Sequence, residues 1–314
     1  MDLEVRHLRA ICAIADAGSI TKAALHLGLS QPTLSAQLRR LERTLGGELF
    51  VRCREGAFAT ALGEFVVAKA RSVLLSIDAI SVQVALHVGA SGHRPLRYVA
   101  TDGPLMVGLL AELKDLLPGT TPTLRTESHV ATVIELIASG QQDLAAVVEY
   151  VGHAAVLPPD VRTATVATEP AFVLLPESHP MADRPAVRLT ELAGEPWVLQ
   201  PSRGNGLFEA FTQACAQAGF TPIVRYEAGA SAARELIAAG QAVSLGQATF
   251  RSTIGVVPKP LVGTPLWIRH ALLWHRAGAL VELASAVAQC AERVYATAVR
   301  RSPHYLAWLA DPSR

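Results

Sequence analysis

The chain has 314 residues, half of them apolar, and a formal net charge of +1 at neutral pH. This length fits a small domain plus a larger one, and the apolar content excludes an intrinsically disordered chain. The N-terminus, MDLEVRHLRA, lacks an apolar signal core, and no uncharged run approaches the roughly 20 apolar residues of a membrane span. We therefore expect a cytoplasmic protein without a membrane partner.

The four cysteines are widely separated, which bears on metal and disulfide chemistry. They are Cys12, Cys53, Cys215 and Cys290, and none belongs to a C-x-x-C pair. This spacing argues against a structural zinc site and a disulfide framework. Buried thiols in a reducing compartment are the expected outcome, and we expect no cofactor or metal.

Residues 4–60 have the pattern of short helices separated by turns. Apolar residues recur at helical spacing, and the first helix ends at Gly18. Ser19 is the expected N-cap of a second helix. Ser30 is the expected N-cap of a third helix, which ends at Gly46.

The second and third helices have the composition of a helix-turn-helix. Ala23 and Ala24 supply the small side chains that two closely crossing helices need, and short polar side chains at the start of the third helix can reach base edges in a major groove. A solvated polar face is the alternative for this stretch by itself. The residues expected to contact DNA are Thr21, Ser30, Gln31, Pro32, Thr33, Ser35, Gln37 and Arg39, with Arg40 and Arg43 placed for phosphates.

A single long helix is predicted from about residue 60 to residue 88. Its apolar residues alternate spacings of four and three, which is typical of a heptad seam. The seam residues are Val66, Ala70, Val73, Ile77, Ile80 and Val84. Because a helix this long leaves a small domain with little else to bury against, pairing with a second copy is expected. Packing against its own domain is the alternative.

From residue 96 onward, short apolar strands alternate with helices, which predicts parallel sheets covered by helices. The predicted strands are 96–101, 121–127, 144–149, 171–176 and 197–200, and the predicted helices are 104–117, 130–139, 207–218 and 231–239. This stretch is long enough for two α/β lobes, with a strand at 266–274 and a helix at 280–299 returning the chain to the first lobe. The tail, 302–314, has no predicted role.

One long motif indicates a specific protein family. Residues 23–52, AALHLGLSQPTLSAQLRRLERTLGGELFVR, resemble the signature of LysR-type transcriptional regulators, and the T-x-x-G of Thr60 and Gly63 resembles the start of that family's linker helix. The segments 136–144, 178–182, 192–197 and 218–222 resemble pieces of its second domain. By this resemblance Arg52 and Arg54 belong to a wing that contacts phosphates.

The resemblance implies the architecture and partners of the family. It implies an α-helical winged helix-turn-helix domain (1–60), a long dimerising linker helix (61–90) and a two-lobed α/β effector domain like a periplasmic solute-binding protein (91–314). The lobes would comprise roughly 96–165 with 265–300, and 166–264. The implied partners are a pseudo-palindromic double-stranded DNA operator, a small-molecule effector, and further copies of the chain in a homodimer or homotetramer.

Loops after the predicted strands are the candidate effector contacts, because ligands of such sheets bind at the carboxyl ends of strands. The candidates in these loops are Thr101, Asp102, Ser128, His129, Gln200, Ser202, Arg203 and Asn205. Gly246 is a further candidate, because it lies where the chain crosses back between the predicted lobes. By resemblance, Thr101, Ser128 and Ser202 occupy effector-contacting positions. Each could instead serve only as a helix cap.

The charges near these loops favour an anionic or zwitterionic metabolite. Arg203 could hold a carboxylate, whereas Asp102, Glu127 and Glu149 could favour an amine. These acids could also be solvated loop charges.

The sequence therefore predicts a sequence-specific DNA-binding transcriptional regulator modulated by a small molecule. One alternative retains DNA binding but makes the second domain an effector-independent oligomerisation unit. A solute-binding protein would leave the helix-turn-helix unexplained. An enzyme is disfavoured, because the sequence contains no H-x-x-H metal spacing, G-x-S-x-G elbow or G-x-x-x-x-G-K phosphate loop.

Overall fold

The first ninety residues fold around apolar faces of three short helices. The computed structural model describes residues 3–53, 56–88, 95–201, 204–278 and 280–311, and it divides into two units, Met1–Ala90 and Ser91–Arg314. The first unit contains α1 (Val5–Ala17), α2 (Ile20–His26), α3 (Gln31–Leu45), an antiparallel pair β1 (Phe50–Cys53) and β2 (Gly56–Ala59), and α4 (Ala61–Val88).

The helix ends of the first unit follow from local sequence. The hydroxyl of Ser19 accepts the backbone N–H of Lys22, and that of Ser30 accepts the N–H of Thr33 at 3.3 Å. Gly18 and Gly46 end α1 and α3 in the left-handed conformation, which glycine adopts without a steric cost. Both N-caps and both ends are those that the sequence predicted.

The hairpin of β1 and β2 is joined to the helices at two points. The carboxylate of Glu42 accepts the backbone N–H groups of Leu49 at 3.0 Å and of Phe50 at 3.4 Å. The hydroxyl of Thr60 donates to the carbonyl of Glu48 at 2.7 Å, and a Cβ at Gly63 would collide with the carbonyl of Leu49. Thr60 and Gly63 of the T-x-x-G segment therefore hold the start of α4 close to the residues that lead into β1.

One face of α4 packs on the chain's own α1, which corrects part of the predicted seam. Ala70 is 1% exposed and is covered by Leu8 and Cys12 of α1. Val66 also packs partly against the core of the first unit. Because Ala70 is already buried within one chain, the prediction that it lies in an intermolecular seam is wrong. Val73 is 46% exposed.

The second unit is built on a seven-stranded sheet and a two-stranded sheet. Its strands are β3 (Arg97–Ala100), β4 (Thr123–Thr126), β5 (Leu144–Tyr150), β6 (Val161–Pro176), β7 (Pro196–Leu199), β8 (Ile223–Glu227), β9 (Ser244–Gln247), β10 (Val256–Pro260) and β11 (Trp267–His275). Its helices are α5 (Leu105–Leu116), α6 (Val130–Ala138), α7 (Leu207–Gln217), α8 (Ala230–Ala238), α9 (Ala284–Arg300) and α10 (Pro303–Ala310), with a 3₁₀ turn at Leu189–Leu192.

The sheets are mixed, whereas the sequence predicted parallel sheets. The larger sheet has the order β10-β6-β11-β5-β3-β4, with β9 also paired to β6, and the smaller sheet pairs β7 with β8. The strand pairs β3 with β4, β3 with β5, and β7 with β8 run parallel, whereas β6 pairs antiparallel with β9, β10 and β11, and β11 pairs antiparallel with β5. Long strands without an intervening crossover helix therefore replace part of the predicted βαβ pattern.

The long strand β6 runs through both lobes of the second unit, and the chain returns to the first lobe between β10 and β11. Residues 161–170 pair with β11, and the following residues pair with β9 and β10. The first half of β6 carries the exposed polar residues Arg162 and Thr163, so the apolar pattern predicted only its second half. The strands β8, β9 and β10 and the helix α10 were not predicted either.

Apolar side chains fill both lobes. One core surrounds Trp197 and Phe211, whose rings lie 4.5 Å apart, and another surrounds Tyr98 and Leu109. Asp143, the last polar residue before β5, accepts the backbone N–H of Arg97 at 2.9 Å and forms an ion pair with its side chain. Among the described residues, no helix has both the length and the apolar character that a membrane span requires.

Candidate DNA-reading helix and effector cavity

The first turn of α3 presents a polar surface. Gln31, Pro32 and Thr33 are exposed, and the hydroxyls of Ser30 and Thr33 lie 2.7 Å apart. Ser35 is only 5% exposed, and its hydroxyl accepts a hydrogen bond from Gln31 Nε2 at 3.0 Å. Ser35, which the sequence predicted as a DNA contact, is thus mostly covered, and its hydroxyl faces Gln31.

The remaining predicted DNA contacts lie around the same helix. Arg39, Arg40 and Arg43 are exposed and line one groove with the turn that ends α3. Thr21 is exposed at the start of α2, and Gln37 is half-buried. Arg54 and the side chain of Arg52 lie outside the described residues.

The neighbouring acid, Glu42, directs its carboxylate toward the start of β1. It accepts both of its hydrogen bonds there and is half-buried. The groove also contains Glu42 and Glu48, so its three arginines exceed its acids by one, and this excess positive charge suits phosphate contacts.

The second unit encloses a cavity of about 620 Å³ that is bordered by both lobes. Loops after β3, β4 and β7 form its rim, and apolar side chains of β5, β6 and β11 form its floor. The predicted contacts that line it are Thr101, Asp102, Ser128, Gln200, Asn205 and Gly246. Six candidates from distant parts of the chain thus border one space.

Three predicted effector contacts are not among the described residues that line the cavity. His129 is absent from the described cavity lining; it is the N-cap of α6, and its Nδ1 lies 3.3 Å from a carboxylate oxygen of Glu127. Ser202 and Arg203 lie outside the described residues. The prediction is therefore wrong for His129, because the helix start turns its ring toward its own loop.

Backbone and side-chain hydrogen bonds hold the rim loops in place. The hydroxyl of Thr101 accepts the backbone N–H of Val148 at 2.9 Å, so Thr101 joins β5 instead of capping a helix. Asn205 accepts the N–H of Leu207 through its side chain at 3.0 Å and the N–H of Tyr150 through its carbonyl at 2.7 Å. These hydrogen bonds hold Thr101 and Asn205 in place at the rim of the cavity.

A bond between lobes closes another part of the rim. Gln247 Nε2 donates to the carbonyl of Asp102 at 3.0 Å. At Gly246 an added Cβ would come within 2.7 Å of the side chain of Leu174, so glycine keeps β9 close to the apolar floor.

The structure reassigns two of the predicted acids. Glu149 is 2% exposed and forms an ion pair with Arg269 at 2.6 Å, and Glu127 accepts the backbone N–H groups of Ser128 and His129. Both carboxylates therefore have structural partners. Asp102 is the only acid among the described residues that line the cavity.

Other lining residues were not predicted from the sequence. The apolar floor includes Met106, Tyr150, Leu174 and Ile268, and the polar additions are Arg234, Ser244, Gln247, Thr249, Arg251, Ser252 and Thr253. The polar group surrounds β9, which the apolar pattern did not predict. Recognising β9 would have directed attention to the loop that follows it, because ligands bind beyond strand ends.

Burial keeps the described thiols protonated. Burial raises the pKa of Cys215 to about 12 and is also the largest cause that raises the pKa values of Cys12 and Cys290. Thiols with raised pKa values are poor nucleophiles and poor metal ligands at neutral pH. Over residues 3–53, 56–88, 95–201, 204–278 and 280–311, no cluster of histidine, cysteine and acidic residues suits a metal.

Family models match both units of the chain. Residues 5–64 match the bacterial regulatory helix-turn-helix protein, lysR family, and residues 99–296 match the LysR substrate binding domain. The resemblance found in the sequence is thereby confirmed.

Several curated relatives span nearly the whole chain. The small neutral protease regulatory protein of Streptomyces lividans is 39% identical over 310 residues, covering 98% of this chain and 87% of that protein. The DNA-binding transcriptional dual regulator OxyR of Escherichia coli is 30% identical over 300 residues, covering 86% and 93%. Both relatives are named as regulatory proteins.

Solved structures share the fold at lower identity. A Corynebacterium glutamicum OxyR C206 mutant matches with a TM-score of 0.57 and 22% identity, covering 96% of this chain and 95% of that chain. Full-length CbnR in complex with its target DNA matches with a TM-score of 0.50 and 22% identity, covering 92% and 100%. The family models and the curated relatives show that this winged helix-turn-helix and two-lobed effector domain make up an effector-modulated transcriptional regulator. The chain belongs to the LysR family of bacterial DNA-binding regulators.

Proposed function

We propose that the first turn of α3 reads the operator and that the cavity of the second unit holds the effector. The observation that carries the proposal is the convergence of six predicted effector contacts, from distant parts of the chain, on one cavity of about 620 Å³. That volume falls within the range of roughly 300–1,000 Å³ that small-molecule sites occupy.

On DNA, Gln31 and Thr33 are the proposed readers of base edges, because they are exposed at the first turn of α3. Arg39, Arg40 and Arg43 are the proposed phosphate contacts and contribute affinity without sequence information. Thr21, Ser30, Pro32 and Gln37 complete the proposed surface. Because its partner is chromosomal DNA, the protein would act in the cytoplasm.

The effector we propose is a zwitterionic metabolite with an apolar part, such as an amino acid. Asp102 supplies a negative charge at the rim, whereas Arg234 and Arg251 supply positive charges. The floor at Tyr150 and Ile268 is apolar, so one end of the ligand should be hydrophobic. Opposite charges above an apolar floor suit a molecule that carries an amine, a carboxylate and a side chain.

We infer binding without turnover. The described lining contains no histidine, lysine or cysteine, so it supplies none of the usual nitrogen bases or thiol nucleophiles. An effector-independent oligomerisation domain is the competing function, but it would not require a polar rim on a cavity of this size.

A dimer is proposed to form through the outward face of α4. Phe65 and Val73 are exposed apolar residues on that helix and lie eight positions apart on one face. Ile77 is half-buried, and the side chains of Ile80 and Val84 lie outside those described. A two-fold dimer would match a pseudo-palindromic operator, and pairing of two dimers would produce a tetramer.

Protease genes are proposed as targets. The small neutral protease regulatory proteins of Streptomyces lividans and Streptomyces coelicolor are 39% identical to this chain over 310 residues each. The hydrogen peroxide-inducible genes activator of Pectobacterium carotovorum is 29% identical over a shorter stretch. The protonated thiols described above do not favour a peroxide-sensing role for this chain.

The test begins with fragmented genomic DNA of the host. Fragments retained by the full-length protein are sequenced with and without each of the twenty proteinogenic amino acids. A short two-fold-symmetric site supports the operator assignment, and an amino acid that shifts recovery supports the effector class. The amino-acid effect on recovery is assigned to the cavity if Arg251→Ala and Asp102→Asn abolish it. Arg184→Ala, which lies outside the cavity lining, should retain the effect. Retention of random fragments alone would contradict the proposal.

A further inference from the structure

A fully buried carboxylate lies where β6 passes between the lobes. Glu169 is 0% exposed and precedes the last residue of β6 that pairs with β11. Four hydrogen bonds reach it: from Nε2 of His270 at 2.7 Å, from the backbone N–H and the hydroxyl of Thr249 at 3.0 Å each, and from the hydroxyl of Tyr295 at 3.1 Å. A buried carboxyl group needs such partners, because an unpaired one is costly to desolvate.

One of these donors lines the effector cavity, and a second lies beside residues that line it. Thr249 lines the cavity directly. His270 lies opposite Val148 in the pairing of β11 with β5, next to the pair of Ile268 with Tyr150. Paired residues of antiparallel strands share a face of the sheet, and Val148, Tyr150 and Ile268 line the cavity. Glu169 therefore stands directly behind the cavity wall.

The same network reaches the C-terminal helix. Ser302, at the start of α10, donates from its buried hydroxyl to the carbonyl of Thr249 at 2.9 Å. The hydroxyl of Tyr295 lies 3.5 Å from that of Tyr305, which packs edge-on against Phe172. Thr249 is thus bound through its N–H and hydroxyl to Glu169 and through its carbonyl to α10.

Tyr295 keeps the proton that it donates. Burial, and secondarily the charge of Glu169, raise the pKa of Tyr295 far above its ordinary value. Its hydroxyl therefore stays protonated at neutral pH and donates to Glu169. A hydrogen bond that runs from Tyr295 to the carboxylate therefore links α9 to Glu169.

We propose that Glu169 is a positioning residue for the effector cavity and that it couples the placement of Thr249 in the cavity wall to the seating of α10. The inference rests on the proposed effector site and assigns regulation to it. By linkage, an occupant that favours the observed position of Thr249 stabilises α10, and release of α10 weakens that occupant by the same factor. The C-terminal helix is then a second control point of the effector domain.

The first experiment measures backbone hydrogen exchange in the full-length protein without added ligand. In Glu169→Gln we expect exchange at the Thr249 amide and throughout α10 to accelerate together by at least about tenfold, while α6 is unchanged. Glu149→Gln is the matched control, since it also alters a buried carboxylate but one that is paired with Arg269. The coupling would be overturned if Glu169→Gln accelerated exchange at Thr249 and left α10 unchanged. It would also be overturned if Glu149→Gln accelerated exchange at both Thr249 and α10.

Conservative variants separate coupling from a general loss of stability. Thr249→Ser retains the hydroxyl and should exchange like the wild type, whereas Thr249→Val should reproduce Glu169→Gln. If Glu169→Gln does not fold, Ser302→Ala tests the network from the opposite side. It removes the bond to the Thr249 carbonyl and should accelerate exchange at the Thr249 amide. Unchanged exchange there would contradict the proposal.

The second experiment measures calorimetric binding of each proteinogenic amino acid. For any that binds the wild type, Ser302→Ala should weaken the affinity by at least about fivefold, although residue 302 does not line the cavity. Unchanged affinity would refute coupling to the cavity. If none of the twenty binds the wild type, the proposed effector class fails, and the exchange experiment still decides the network.

Discussion

Gln31 and Ser35 lie one turn apart on α3 and are joined by a hydrogen bond from Gln31 Nε2 to Ser35 Oγ at 3.0 Å. Ser35 is buried, whereas Gln31 is exposed. The buried hydroxyl therefore restrains the amide of the exposed residue before DNA arrives. A restrained side chain loses less conformational entropy on binding, so the pair should favour selective base contacts.

The first prediction concerns base reading by Gln31. Gln31→Ala should weaken binding to the selected operator by about 1–3 kcal/mol and relax base preference at one position. Binding is measured at fixed salt on the operator and on a scrambled duplex. Equal weakening on both duplexes would show that Gln31 does not read sequence.

Ser35→Ala provides the second prediction. Because Ser35 would act through Gln31, we expect a smaller loss of affinity, with relaxed preference at the same position that Gln31→Ala affects. Selection from a randomised operator measures this preference. A change at a different base pair would mean that Ser35 contacts DNA independently of Gln31.

The third prediction concerns the contribution of Thr101 to stability. Thr101→Val removes the acceptor of the Val148 N–H and should lower the free energy of unfolding by about 1–3 kcal/mol, since that donor loses its partner. Thr101→Ser keeps the acceptor and should remain close to the wild type. Urea unfolding of both variants measures the difference. Equal stability of the two would show that the bond contributes nothing measurable.

The fourth prediction distinguishes the two faces of α4. Val73→Asp places a charge on the exposed face and should convert the dimer into monomers while the fold persists. Ala70→Asp instead buries an unpaired charge against α1 and should unfold the first unit. Sedimentation gives the mass, and circular dichroism gives the helix content. An unchanged mass for Val73→Asp would remove that residue from the proposed interface.

The fifth prediction uses the raised thiol pKa values. With a pKa of about 12, Cys215 is almost entirely protonated at pH 8, and the buried Cys12 and Cys290 also favour the thiol. In a Cys53→Ser background, a disulfide reagent should label the native protein slowly and label all three thiols after unfolding. Hydrogen peroxide should leave operator binding unchanged in that background. Rapid native labelling would contradict the prediction.

The sequence alone determined the features that depend on neighbouring residues. Ser19 and Ser30 cap their helices and Gly46 ends α3 because each hydrogen bond or backbone angle involves residues only a few positions away. Strand ends likewise identified Thr101 and Asn205, since side chains beyond parallel strands meet at one edge of a sheet.

Tertiary structure decided which distant groups meet. Glu149 was a candidate ligand contact until pairing of β11 with β5 placed Arg269 beside it, and Ala70 was a candidate interface residue until α1 covered it. The cavity wall at Thr249 and the carboxylate behind it depend on β6 running through both lobes. Such contacts join residues far apart in the chain, so their formation depends on strand pairing that the local sequence pattern does not specify.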